Sequence, residues 1–92
     1  MPDQAIIRLE GTFDLPAARL VENSLKRMRG GERVRVDFTR VRQFNDFAIA
    51  VLAQALKQPG AVEAKLEGLR LHQIRMLRYF GVGPEAFRDG EA

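Results

Sequence analysis

Few side chains in this sequence are of types that do chemistry, and their spacing argues against a catalytic centre. His72 is the one histidine in 92 residues, and there is no cysteine. A lone imidazole without a companion at metal-ligand spacing makes neither a zinc site nor an acid–base pair. His72 therefore reads as a surface or first-turn helix residue. The lack of cysteine also removes disulfides, thiolate metal sites and thiol nucleophiles. Asp14, Asp37 and Asp46 stand at the ends of successive elements. With no lysine and threonine set placed to complete an acidic metal pocket, they read as caps and surface pairs. Gly30-Gly31 and Gly81-Val82-Gly83 match neither a dinucleotide fingerprint nor a phosphate loop. The expectation is no enzyme, no metal and no cofactor.

The charge pattern points the same way. The net charge is +3, but arginines are interleaved with acids: Arg8 with Glu10, Glu32 with Arg33, Arg35 with Asp37. Mixed signs make a solvated surface rather than a phosphate-binding stripe. Arg70, Arg75 and Arg78 with Lys65 read either as a plain solvated face or as a basic edge for an acidic partner. A small nucleic-acid binder using an arginine face is the rival from another class, and it requires affinity that falls steeply with salt.

These residues need a scaffold. Apolar residues make up 46% and charged residues 29%, which is globular composition with room for one domain, residues 1–92, whose last few residues fray. No apolar run nears the ~20 residues that cross a bilayer. Met1-Pro2-Asp3-Gln4 lacks the regions of a signal peptide, so a cytoplasmic location is expected.

Ala5 to Glu10 alternates with a period of two, as a half-buried strand does, and Gly11-Thr12 is expected to break it. Asp14 caps a helix carrying Pro16 in its first turn and Ala18, Val21, Leu25 and Met28 at helical spacing, up to Arg29 and the Gly30-Gly31 stop. Val34, Val36 and Phe38 alternate with Arg33, Arg35 and Asp37 in a second strand. The charged alternation means that one sheet face stays wet and helices cover the other. Thr39 to Phe44 reads as a connection with Val41 and Phe44 inward. Asn45 caps an unusually apolar helix, Asp46 to Lys57. Ala64 to Leu69 is a third, weaker strand, with Ala64, Leu66 and Gly68 inward. Leu71 to Phe80 is a helix packing through Leu71, Ile74, Met76 and Leu77, stopped by Gly81, and residues 83–87 make a short turn. The order is β-α-β-α-β-α, an α/β fold with a mainly parallel sheet.

The stretch from Val36 to Leu52 resembles the central segment of STAS domains, the family of anti-sigma factor antagonists and of regulatory domains in transporters. Leu9-Glu10-Gly11-Thr12-Phe13-Asp14 is similar to the family's first strand and turn. Gly68-Leu69-Arg70-Leu71 is similar to the junction after its third strand, and Leu77 to Val82 to its helix end. The likeness covers roughly residues 5 to 87. It implies a STAS-like sheet with helices packed on one face. It also implies a non-catalytic, bacterial signalling module that docks a partner, such as an anti-sigma switch kinase or another regulatory subunit, through the start of the second helix. Where the family reads Asp-Ser-Ser-Gly, this chain reads Asn45-Asp46-Phe47-Ala48, so Phe47 replaces the phosphorylated serine.

The residues assigned to docking are Asn45, Asp46, Phe47, Ala48 and Ala50. Two readings stand at Phe47: an exposed handle for a partner, or a ring folded onto Phe44 or Val41. Asp46 is either a fixed charge at that surface or an acid stabilising the helix dipole. The alternative within the family is a STAS subunit of a lipid- or ABC-type transport complex gripping an ATPase through the same helix. A homodimer is compatible with either.

Overall fold

A computed structural model describes residues 4–28, 32–58 and 63–87. The elements are β1 (Gln4–Phe13), α1 (Leu15–Arg27), β2 (Arg33–Phe44), α2 (Asp46–Leu56), β3 (Glu63–Glu67), α3 (Leu71–Tyr79) and a 3₁₀ turn at Pro84–Ala86. The three strands form a parallel sheet in the order β1-β2-β3. Each strand is added on the same side of the last. Right-handed crossovers therefore deliver α1 and α2 to one face of the sheet.

Burial follows that rule. Val34, Val36 and Phe38 of β2 are wholly buried beneath the helices, with Leu66 of β3 beside them. The other face is ionic, with Arg33 3.4 Å from Glu63 and Arg35 3.4 Å from Glu67 across the β2–β3 pair. The core is completed by Val21, Ile49, Leu52 and Leu77 from the three helices. Phe13 meets Phe38 edge-on at 5.2 Å, and Phe44 joins both rings at about 6 Å.

Two expectations about strand ends are corrected. β1 runs through Gly11-Thr12 to Phe13, and residues 39–44 are the second half of β2 rather than a connection. Two register shifts explain the misreading. Arg8 pairs Asp37 but Glu10 pairs Arg40, and Gly11 pairs Val41 but Thr12 pairs Gln43. At each shift β2 carries one extra residue, so Thr39-Arg40 and Arg42-Gln43 are both outward pairs while Val41 returns to the core.

At the third helix Leu71 is exposed rather than packed, and Gln73 takes an inward place beside Ile74 and Leu77. Leu69, not Gly68, is the buried residue of the β3–α3 turn. Gly68 has φ +79°, and a Cβ there would lie 2.5 Å from the Thr39 backbone nitrogen, so the turn runs directly over Thr39. Helix α1 ends two residues early, with Met28 already extended. The Gly30-Gly31 stop and the tail from Arg88 lie outside the described residues.

Candidate functional site

In a parallel sheet crossed by helices, every helix starts at the edge where the strands end. Here the starts are tied together. The Asn45 backbone N–H donates to the Phe13 carbonyl at 2.9 Å, joining the start of α2 to the end of β1. His72 Nε2 lies 3.8 Å from an Asp46 carboxylate oxygen, linking the first turns of α3 and α2. Arg70 Nη1 donates to the Arg42 carbonyl at 3.3 Å, joining the start of α3 to the end of β2.

Asn45 caps α2 as its residue type demands. Its side-chain oxygen accepts from the N–H groups of Phe47 at 2.8 Å and Ala48 at 3.2 Å. Asp46 follows in the first turn, exposed and favourably placed at the positive helix end. The buried stripe of α2 is Ala48, Ile49, Leu52, Ala53 and Ala55. At ~100° per residue Phe47 falls on the opposite side with Gln54, flanked by Ala50 and Val51. Phe47 is 67% exposed, whereas Ile49 and Leu52 are wholly buried.

That geometry leaves Phe47 outside the packed core rather than folded onto Phe44 or Val41. It also removes one residue from the surface. Ala48, expected among the docking residues, is wholly buried, because it begins the inward stripe. Ala50 is half-buried.

Two further residues belong to this rim: Leu15, given no role from the sequence, and Leu71, expected there to pack in the core. Leu15 opens α1 and Leu71 opens α3, and both are exposed. Their signal was positional: a large apolar residue at the first position of a helix sits on the end that faces away from the core. The basic set is not one continuous feature. Lys65 is committed to the Glu85 carbonyl and Arg70 to the Arg42 carbonyl, while Arg75 and Arg78 are exposed on α3.

Asp14 is a cap, accepting from the Ala17 N–H at 3.2 Å. Asp37 accepts from both the hydroxyl and the N–H of Thr39. These hydrogen bonds, with smaller help from Arg8 and Arg40, hold its carboxyl below the ordinary value of 3.8. Among the described residues no group of three or more His, Asp and Glu is placed to hold a metal ion.

A family model described as "Mlab, STAS domain" matches residues 1–84. The chain belongs to the STAS domain family. The sheet and its one-sided helices are those expected of a STAS domain. Comparison with curated proteins and with solved structures returned no match. STAS domains are generally non-catalytic and commonly mediate protein–protein interactions. This one is thus a regulatory or interaction module in the broad sense of its family. No helix among the described residues is long and apolar enough to cross a membrane.

Proposed function

We propose that this STAS domain works by docking a protein partner through the N-terminal end of α2, with Asn45, Asp46, Phe47 and Ala50 in the contact and Leu15 and Leu71 at its margin. One observation carries the reading. Phe47 is a large apolar ring left mostly in water at the edge where all three helices start. Keeping a Phe exposed forgoes about 1.5–3 kcal/mol of burial that a partner's pocket would recover. Aromatic anchors of this kind dominate the energy of protein interfaces. In the signalling version the partner is an anti-sigma switch kinase or another regulatory subunit in the bacterial cytoplasm. No hydroxyl side chain stands between Asn45 and Ala50. Docking is therefore constitutive, or is controlled at another hydroxyl such as Thr12, Ser24 or Thr39.

The same absence supports a second reading, a permanent subunit of a transport complex that grips an ATPase through this helix. A contact with no switch in it suits an obligate assembly, whose interfaces are the more apolar ones. Affinity capture from the native cell, with wild type and Phe47→Glu side by side, tests the docking surface. The expected result is a polypeptide retained by wild type and lost with the variant. Equal recovery by both would refute it. A captured soluble kinase indicates the first reading, and a membrane-associated ATPase the second.

A further inference from the structure

β1 is ten residues long and, among the described residues, has a strand neighbour on one side only. At the opposite edge β3 is half that length, and Phe87 already bridges to its Leu66. A long open edge presents unpaired N–H and C=O groups to any second strand. The cover over β1 is also incomplete. Its inward residues Ala5 and Ile7 are half-buried, whereas Val34 and Val36, their partners on β2, are wholly buried.

The flank of α1 above this edge can be deduced. The buried side of α1 is centred on Ala18 and Val21. A right-handed crossover sets α2 on one flank of α1 and the open β1 edge on the other. Stepping ~100° per residue, Glu22 and Leu15 fall on the α2 side, and Ala17, Leu20 and Ser24 fall over the open edge. Leu20 is 57% exposed there, between two small side chains.

The outer face of β1 supplies a charge code. Arg8 stands opposite Asp37 and Glu10 opposite Arg40. Suppose that two copies of β1 meet antiparallel about a twofold axis. Directly opposed residues must then point to the same face. With Leu9 on the axis, Arg8 faces the partner's Glu10, and the same contact repeats on the other side. The adjacent registers place Arg8 against itself or Glu10 against itself, both of which are repulsive. In the Leu9 register the row across the seam reads Asp37, Arg8, the partner's Glu10, the partner's Arg40, with signs alternating throughout.

We propose that β1 pairs with β1 of a second copy in this register, fusing two three-stranded sheets into one and laying α1 against its symmetry mate. The heights agree. Leu9 lies roughly 13 Å below Phe13 along the strand. Helix α1, descending ~1.5 Å per residue from Leu15, reaches that level near Ser24. Ser24 therefore sits by the axis, and Leu20 packs one turn away. The starts of α2 and α3 stay clear of the seam, so this association neither uses nor requires the Phe47 surface.

Sedimentation equilibrium of the full chain, from low micromolar to several hundred micromolar, tests this. The expected result is a concentration-dependent species of two 10.4 kDa chains. Leu20→Glu, already mostly in water in the single chain, should raise the dissociation constant about tenfold or more. Arg8→Glu and Glu10→Arg should each weaken the dimer, and the double variant should restore it. Circular dichroism melts establish that each variant is folded, and Leu20→Glu carries the test if a charge variant is not. Ser24→Cys, in a chain without other cysteines, should form an intermolecular disulfide on mild oxidation. Phe47→Glu should leave the dimer intact, which separates this result from the fate of the docking surface. A single 10.4 kDa species throughout overturns the proposal. So does a dimer indifferent to Leu20→Glu and to both charge reversals.

Discussion

The side-chain oxygen of Asn45 accepts a 2.8 Å hydrogen bond from the N–H of Phe47, so the residue that starts α2 also fixes the backbone under its exposed ring. Cap and ring then make separable contributions. Asn45→Ala leaves the first N–H groups of α2 without their acceptor and should cost about 0.5–2 kcal/mol in urea denaturation. Phe47→Ala removes a ring that touches little of the core and should change stability by less than about 0.5 kcal/mol. Ile49→Ala, two residues on, should cost about 2–5 kcal/mol because it opens a cavity in the core. A large loss from Phe47→Ala would mean that the ring is structural after all.

Gly68 should tolerate no side chain. Its φ of +79° lies in the left-handed region, and a Cβ there would press on the backbone of Thr39. Gly68→Ala is expected to destabilise by more than about 1 kcal/mol. Gly11→Ala meets no atom within 4 Å and bears only the strain of φ +76°. Thermal melts of the two variants should therefore separate, with Gly68→Ala the lower.

The pH dependence has a definite sign at Asp37. Its carboxyl is held below 3.8 chiefly by the Thr39 hydroxyl and N–H. A carboxyl whose folded pKa is depressed stabilises the fold above its unfolded pKa, and that contribution is lost as the pH falls through the folded value. Acid unfolding of the wild type should therefore steepen below about pH 4. Thr39→Val should flatten that part of the curve with little change in slope near neutrality. An unaltered acid limb would contradict this assignment.

Much of the fold was legible because burial repeats at simple periods. Val34, Val36 and Phe38 announced a strand with one wet face, and Asn45 followed by an apolar run announced a capped helix. The second half of β2 was not legible because its inward residues, Phe38, Val41 and Phe44, are three apart. That spacing looks like a loop unless each extra residue is recognised as a bulge in a pairing that only the sheet reveals. Leu71 was misjudged for a related reason: hydropathy named it a core residue, yet at the first position of α3 it lies beyond the layer that could cover it. Phe47 could be singled out as a candidate but not oriented, since its side depended on which alanines of α2 faced inward. Ala48 entered the docking set through the family-like segment Asn45 to Ala50 and left it through burial.

Amide hydrogen exchange, measured on the domain alone and bound to the polypeptide it captures, asks where that polypeptide sits. Slowed exchange concentrated in residues 46–51 and the first turn of α3, with the β-strands little changed, is the predicted result. Protection confined to β1 or to the ionic face of the sheet, with residues 46–51 exchanging as freely as before, would show that the start of α2 is not where this STAS domain is held.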